Sequence, residues 1–461
     1  MSDNNDLYQN FSLTESSLNL IPESIIDESP EFSTDIEFSN IQDKNCLMQC
    51  YLRFLMGNKL PSIFNISSSS ISIPFILLPF VIYSSKFIFG IIEIIIIGFF
   101  SFYTMILLFE QMSKSREQSY YRFIYNNIGK KCSYLYELLN FLFKFCILII
   151  FETFSFLFLK EIMTKIKLIN INNSDLTFKI FILIGSIIIQ FLLSINYYRI
   201  FIVIKYLNSI LIIITQFMLF IKFITNLNNL DKFYWKGEFT YTLFFCVQIL
   251  LVIFNNHNDI YFHFNRFYSK TFKKVNILIN ISWIIIIIDS LLCMIISYLY
   301  IINFNIQNLN IENPFIKFIN NNNKDAYYYI FLTLGIIFTI HIQTFISESL
   351  NKIKEEIKTI FKQKIMISTT NILISFFFIG ITNIISISSN NLLLFIGICA
   401  GITCFTGYVF PAYTHSLFIE PKSTKKYTNL FIIIIFPILG IVLLIISFHC
   451  HFFSQRNINV I

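Results

Sequence analysis

Residues 91–109 read IIEIIIIGFFSFYTMILLF, an apolar stretch in which Glu93 is the one charged side chain. A helix needs about 20 apolar residues to cross about 30 Å of hydrocarbon, because each residue advances about 1.5 Å. The stretch meets this requirement, and similar stretches recur along the chain. We therefore predict that this segment spans a membrane, and we apply the same criterion to the rest of the sequence.

Eleven stretches satisfy the criterion, which predicts an all-α, polytopic membrane protein with about 11 transmembrane helices. Their approximate cores are 62–83, 87–109, 138–159, 178–195, 200–223, 241–262, 276–303, 326–347, 366–388, 391–418 and 428–452. The connections between these spans are short, beginning with a turn at 84–86 that contains Lys86, so no soluble domain is expected between them.

The composition supports this fold class. Of the 461 residues, 55% are hydrophobic and only 13% are charged, whereas a soluble domain has about 25% charged residues. The polar surface is too small for a soluble enzyme, and the basic residues are too dispersed for a nucleic-acid partner. The lipid bilayer is the expected partner. The sequence shows no zinc spacing, P-loop or Ser–His–Asp pattern, so we expect neither a metal site nor enzyme chemistry.

Charge divides the chain into three predicted regions. Residues 1–43 contain acidic side chains and no Lys or Arg, so 1–59 is expected to be a disordered acidic tail. The transmembrane domain is predicted at 60–452, and 453–461 forms a short tail. Lys and Arg are more frequent in the loops on the side of the N-terminus, which places the N-terminus in the cytosol and the C-terminus opposite. The membrane itself is either the plasma membrane or an internal acidic or vacuolar membrane.

A polar stretch in the first span predicts a broken helix. Four serines, Ser67, Ser68, Ser69 and Ser70, precede Pro74. Each unsatisfied amide in hydrocarbon costs several kcal/mol, so a break survives only where it lines a cavity or is buried in protein. Secondary transporters bind substrates at such breaks. The alternative is a kinked helix whose serines pack against a neighbouring helix.

The sixth span, at 241–262, carries a second polar run. We predict a break here too, with Asn255, Asn256 and His257 lining the same substrate site as the serines. The alternative is that the helix ends at Phe254 and a loop begins. Since the two breaks are five helices apart, the predicted architecture is a five-plus-five inverted-repeat transporter fold with broken helices 1 and 6.

Ionisable and hydroxyl groups inside spans are candidate sites for a coupling ion, because a charge at mid-bilayer is costly. Asp289 lies in the middle of the seventh span, and Glu152 lies in the third. His257 can titrate near neutral pH, and Thr339 offers a hydroxyl to sodium. A partnered structural role is the alternative for the two carboxyl groups.

Several longer motifs follow one another in a set order. SISIPFILLPF (70–80) contains Pro74 and closes the first span. SFYTMILL (101–108) and SYYRFIYNNIGKK (119–131) follow it. Later segments are Phe254–His257, IHIQTF (340–345) and GICAGITCFTGYVFPA (397–412).

In this order the motifs resemble those of the amino acid/auxin permease family, a branch of the amino acid–polyamine–organocation transporters. Ser67 and Ser69 stand where that family has glycines, His257 stands at its sixth-helix histidine, and Asn256 replaces a cysteine. The resemblance covers about 60–452. It implies a secondary transporter of amino acids that works by alternating access.

The resemblance also implies how a substrate binds. The substrate carboxylate would contact the serine run, and its amino group would contact polar groups of the first and sixth helices. The implied coupling ion is H⁺ or Na⁺, with no other cofactor. Two alternatives remain open: an amino-acid sensor of the same fold that signals through the acidic tail, and a polytopic scaffold without a polar pathway.

Overall fold

The computed structural model describes ten stretches of the chain, two of them in part, and the statements below concern these residues. They are 59–115, 120–165, parts of 184–190, 198–225, 242–255 with 257, 272–304, parts of 335–353, 368–388, 392–417 and 424–454. The predicted acidic tail lies outside them except for Lys59, so its disorder stays a prediction. The same holds for the C-terminal tail beyond Ser454.

The described residues form helices and contain no strand, which confirms the all-α fold class. The helices are α1 (Lys59–Ser115), α2 (Tyr120–Asn127), α3 (Lys130–Lys165), α4 (Tyr198–Thr225), α5 (Thr242–Ile253), α6 (Phe272–Phe304), α7 (Ser368–Ser388), α8 (Leu392–Thr403), α9 (Phe410–Ser416) and α10 (Thr424–Ser454). A π-helical segment, Cys404–Val409, joins α8 to α9. The described residues within 184–190 and 335–353 are also helical.

Five helical segments are long and apolar enough to cross a membrane. They are Phe87–Gln111, Lys130–Leu157, Asn276–Leu299, Leu392–Ser416 and Lys425–His449. They coincide with the second, third, seventh, tenth and eleventh predicted spans. Shorter apolar helices, Ser209–Thr225, Leu243–Ile253 and Leu373–Ser386, fall within the fifth, sixth and ninth. The chain is therefore an integral membrane protein.

The predicted break in the first span is wrong. Helix α1 continues through Ser67–Ser70, and the turn expected at 84–86 is helical as well. The Ser67 hydroxyl donates to the backbone oxygen of Ile63, four residues back, at 2.9 Å. A serine that bonds its own preceding turn remains compatible with a helix. The stretch at 84–86 has no proline or glycine that would end one.

Aromatic packing joins α1, α5 and α6 around the end of α5. Phe254 is fully buried, and its ring centroid lies 5.5 Å from that of Trp283 on α6. Phe102 of α1 stacks on the same indole at 6.0 Å. A Cβ atom on Gly98 of α1 would lie 3.7 Å from the Phe254 ring, an ordinary van der Waals distance, so α1 also packs against Phe254. The end of α5 is thus enclosed by protein.

Helices α8 and α10 approach each other closely. A Cβ atom on Gly401 would lie 2.6 Å from the Leu444 side chain, and one on Gly397 would lie 1.7 Å from the Ser447 hydroxyl oxygen. Small residues at helix contacts are typical of membrane proteins, because they let two backbones approach. This contact fixes α8 and the π-helical segment that follows it, which faces the end of α5.

Candidate functional site

The end of α5 is a break inside an apolar region. The backbone N–H of Phe254 still donates to the backbone oxygen of Leu250 at 2.9 Å. The backbone N–H of Asn255 donates instead to the backbone oxygen of Val252, only three residues back, at 3.4 Å. Phe254 and Asn255 are not helical, whereas His257 is helical again. The break predicted in the sixth span is therefore present.

Two hydroxyl groups from other helices satisfy the polar groups at this break. Ser101 of α1 donates from Oγ to the backbone oxygen of Phe254 at 2.7 Å. The last carbonyl groups of a helix have no partner within it, so this bond replaces the missing one. The Asn255 side chain donates from Nδ2 to Oγ1 of Thr403, at the end of α8, at 2.9 Å.

His257 occupies the centre of the site and is only 1% exposed. Its Nε2 atom lies 2.7 Å from Thr104 Oγ1 and 3.1 Å from the backbone oxygen of Ser101. A carbonyl oxygen only accepts, so Nε2 carries a proton. Nδ1 lies 3.3 Å from Asn255 Oδ1. Either a second proton on the ring or a rotated Asn255 amide satisfies that contact.

The π-helical segment forms the opposite wall of the site. A Cβ atom on Gly407 would lie 3.0 Å from His257 Nδ1 and 3.3 Å from Asn255 Oδ1. With a larger residue the imidazole and the amide would have to move by a few tenths of an ångström, so glycine favours this approach. Single π-turns within helices are frequent at functional sites, and this one places Gly407 against the break.

Two buried hydrogen-bond donors next to the break have no partner within the described part of the chain. The Tyr408 hydroxyl is one of them: it lies near the Ser101 hydroxyl but makes no well-formed hydrogen bond. The Tyr408 ring lies 5.5 Å from His257 and stacks on Phe436 at 4.3 Å. The indole Nε1 of Trp283, the residue that packs on Phe254, is the other. A buried donor left without a partner costs about 1–3 kcal/mol. Both groups are available to a polar ligand.

The residues predicted for the substrate site fall in two places. Asn255 and His257 lie together at the break. Ser67 is buried in α1, where the Ile63 oxygen that it contacts also accepts a bond from Ser282 of α6 at 3.4 Å. The side chains of Ser68, Ser69 and Ser70, and all of Asn256, lie outside the described residues, so their roles stay predictions.

The predicted coupling residues have different neighbours. Glu152 lies among buried amide side chains. Asp289 lies beside Gln216 of α4, whose Nε2 donates to Cys293 Sγ at 3.0 Å. Oδ2 of Asp289 and Oε1 of Gln216 have no partner among the described residues. Thr339 donates to the backbone oxygen of Gly335 at 2.8 Å.

Six residues of the site were not predicted as site residues. Trp283 is one of them, and the other five are Ser101, Thr104, Thr403, Gly407 and Tyr408. Each lies within a stretch that the sequence analysis quoted for another reason. Ser101 and Thr104 could have been found from the sequence, because their spacing of three residues puts two hydroxyls on one face of a helix. Thr403, Gly407 and Tyr408 come close to His257 only through the packing of the tenth span.

No protein-family model matches the chain. No curated protein matches it either. Among solved structures, the chain is similar to a Na⁺-coupled sialic acid symporter in a substrate-bound, outward-open state. The TM-score is 0.55 at 15% sequence identity, over 84% of this chain and 89% of that one. At this identity the similarity establishes the fold alone, which the chain shares with that protein.

Proposed function

We propose that the protein is a secondary active transporter of amino acids that works by alternating access, with the break of α5 as its substrate site. The observation that carries the proposal is the break itself, where Asn255 and His257 are buried and the Tyr408 ring lies 5.5 Å from His257. A break of this kind in a membrane helix is tolerated where it lines a cavity or is buried in protein. The fold shared with a symporter supports the same function.

The groups at the break suit a small zwitterion. The Tyr408 hydroxyl and the Trp283 indole supply donors that a carboxylate can accept. The backbone oxygens of Phe254 and Ser101, and Oδ1 of Asn255, are acceptors for an ammonium group. These acceptors have hydroxyl or imidazole partners, so an ammonium group binds by replacing a weaker donor. The resemblance to the amino acid/auxin permease family supports an amino acid as the substrate.

The proposal includes a coupling ion and an orientation. H⁺ and Na⁺ are the two candidates, and Glu152, His257, Asp289 and Thr339 are the candidate residues. The N-terminus is proposed to lie in the cytosol. An ion drives net flux only if it binds the two open states with different affinities, so its residue must change neighbours during transport.

The test is uptake of the twenty radiolabelled amino acids by purified protein in proteoliposomes, with a pH gradient, a Na⁺ gradient, or neither. We expect uptake of at least one amino acid. Thr104→Val removes the hydroxyl next to His257 and keeps the side-chain shape, so we expect uptake to fall about tenfold, the effect of one lost hydrogen bond to a charged or ligand group.

Thr382→Val is the matched control for that variant. The Thr382 hydroxyl is equally buried, but it donates only to backbone oxygens of its own helix, at 2.9 Å to Phe378 and 3.3 Å to Ile379. Its uptake should stay close to wild type. Folded protein that transports no amino acid under any gradient contradicts the proposed function. Equal uptake by Thr104→Val and Thr382→Val contradicts the proposed site.

A further inference from the structure

A second buried polar cluster, which shares no residue with the break of α5, surrounds Glu152. Its members are Glu152 of α3 and three amide side chains, Gln190, Gln343 and Asn383, which we call the amide cage. The amides come from three other stretches of the chain, and Asn383 belongs to α7. All four side chains are at most 4% exposed.

The amides point their donors at the carboxyl group. Glu152 Oε1 accepts from Gln190 Nε2 at 2.5 Å and from Asn383 Nδ2 at 3.3 Å. The same two nitrogens also bond within the cage, Gln190 Nε2 to Gln343 Oε1 at 2.9 Å and Asn383 Nδ2 to Gln190 Oε1 at 3.2 Å. Asn383 Nδ2 also donates to the backbone oxygen of Ile379 at 2.9 Å, so its two hydrogens serve three acceptors. Two amide nitrogens therefore face one carboxyl oxygen, and Gln190 makes the shorter bond.

The amides of the cage also bond one another and Ser155, and these bonds affect whether the cage can hold a sodium ion or a proton. Gln343 Nε2 donates to Ser155 Oγ, one turn along α3 from Glu152, at 2.6 Å. The side-chain oxygens of Gln190 and Gln343 thus already accept hydrogen bonds. A sodium ion needs several oxygen ligands at once, so these two amide oxygens would have to bind the ion while they also accept hydrogen bonds. A proton needs one carboxyl oxygen and leaves these bonds in place.

Among the described residues of the packed stretches, no charged group lies beside Glu152 to balance its ionised form. Helix α7 has no titratable side chain, and neither do the described residues of 184–190 and 335–353. Helix α8 brings one titratable group, the Cys399 thiol, which lies near Cys146 of α3.

On α3 itself the two nearest basic residues lie at the same distance in sequence from Glu152, one on each side. Lys144 and Lys160 are each eight residues from Glu152, which is about 12 Å along the helix axis. A buried carboxylate without a cation is costly. The hydrogen bonds from the amides offset part of the free-energy cost of burying the ionised carboxylate. Binding a proton removes the charge and with it this cost.

We propose that Glu152, held by the amide cage, is the site that binds and releases the coupling proton. In the binding step a water-borne proton forms an O–H bond with the carboxylate, and in the release step that bond breaks and the proton returns to water on the other side. The ionised carboxylate depends on both amide donors, whereas the neutral acid does not. Proton occupancy therefore changes how firmly α3 is held to Gln190 and to α7. The inference rests on the proposed function and adds the identity of the ion.

The experiment is infrared difference spectroscopy of the purified full-length protein in lipid nanodiscs, titrated from about pH 4 to about pH 9 in potassium chloride. No substrate is added, so the result does not depend on whether amino acids are transported. We expect a pH-dependent band from a protonated carboxyl group that Glu152→Gln removes. Gln is the neutral isostere of the acid, and its oxygen can accept the same two bonds, so the variant should fold.

Two further variants identify the group that gives the band. Asn383→Leu removes one donor to Oε1, which should shift the band to higher wavenumber without abolishing it. Asp289→Asn removes the carboxyl group beside Gln216 and should leave the Glu152 band unchanged. A band that Asp289→Asn removes and Glu152→Gln leaves intact overturns the proposal.

Repeating the measurement in sodium chloride distinguishes a proton site from a sodium site. Replacing potassium by sodium at constant pH should leave the Glu152 band unchanged. If sodium abolishes the band in wild type and raises the thermal stability of wild type but not of Glu152→Gln, the cage is a sodium site and the proposal is wrong. A Glu152-dependent band in a protein that transports no amino acid supports the proton site and contradicts the proposed function alone.

Discussion

The serine run of α1 and the asparagine-rich end of α5 look alike in the sequence and differ in the structure. Both interrupt an apolar stretch with consecutive polar residues. The serine run, Ser67–Ser70, stays helical, whereas the chain leaves the helix at Phe254 and Asn255. The Ser67 hydroxyl donates to the backbone oxygen of Ile63 in the preceding turn of the same helix. The side-chain amide of Asn255 donates to the Thr403 hydroxyl on another helix.

The difference shows that polar composition alone does not break a membrane helix. A hydroxyl that finds its acceptor four residues back bends or weakens a helix only slightly, so the helix can continue. A break needs partners from outside, and α5 has them in Ser101, Thr104 and Thr403. It also needs space, which Gly407 provides. The predictions below change the partners or the space.

The largest effect is expected from Gly407→Ala. The new methyl group would lie 3.0 Å from His257 Nδ1 and 3.3 Å from Asn255 Oδ1, so the imidazole and the amide must move. Overpacking of this kind costs about 1–3 kcal/mol. We expect a lower thermal midpoint in detergent, measured by differential scanning fluorimetry, together with a loss of uptake in proteoliposomes.

Gly380→Ala is the control for this variant. Gly380 is also a helical glycine, in α7, and a Cβ atom there would meet nothing within 4 Å. Alanine is favoured over glycine in a helix by up to about 1 kcal/mol, so the thermal midpoint should stay constant or rise. A Gly407→Ala protein as stable and as active as Gly380→Ala would show that the break does not need the space.

A smaller effect is expected from Ser101→Ala. The variant leaves the Phe254 carbonyl without the bond at 2.7 Å that replaces its helical one. Hydrogen bonds between membrane helices contribute about 0.6 kcal/mol on average and up to about 1.7 kcal/mol. We expect a destabilisation in the upper part of this range, measured as the shift of the unfolding midpoint in a denaturing detergent titration.

Ser290→Ala tests the other half of the comparison. Ser290 is buried in α6, and its hydroxyl bonds Ile286 of the same helix at 2.8 Å, as Ser67 bonds Ile63. Its removal should cost less than about 0.5 kcal/mol, because the backbone bonds of the helix remain. Equal losses for Ser101→Ala and Ser290→Ala would mean that the two kinds of serine do not differ.

Much of the fold follows from the sequence because membrane spans are set by one local property, the length of an apolar stretch. Five of the predicted spans meet the criterion of length and composition in the structure. The turn predicted between the first two spans is wrong, because the residues at 84–86 contain no residue that ends a helix. The inverted repeat stays a prediction.

The candidate site is less accessible to sequence reasoning. Asn255 and His257 were found because polar residues stand out in an apolar run. Ser101 and Thr403 were not, since a lone hydroxyl in a membrane helix usually bonds its own backbone. What distinguishes these two is a partner more than a hundred residues away in sequence. The amides of the cage carried a local signal, because each is an uncharged polar group in an apolar stretch, but their convergence on Glu152 depends on tertiary structure.

The central claim is that the break of α5 forms a solute site, and substrate protection of a cysteine at position 255 tests it most directly. The nine native cysteines are first replaced, and Asn255→Cys and Ser290→Cys are then compared in proteoliposomes treated with a small thiol reagent. We predict that Asn255→Cys reacts, that a transported amino acid slows its reaction, and that Ser290→Cys remains unreactive. Reaction of Asn255→Cys at the same rate with and without every amino acid tested, or equal reactivity at both positions, would contradict the claim.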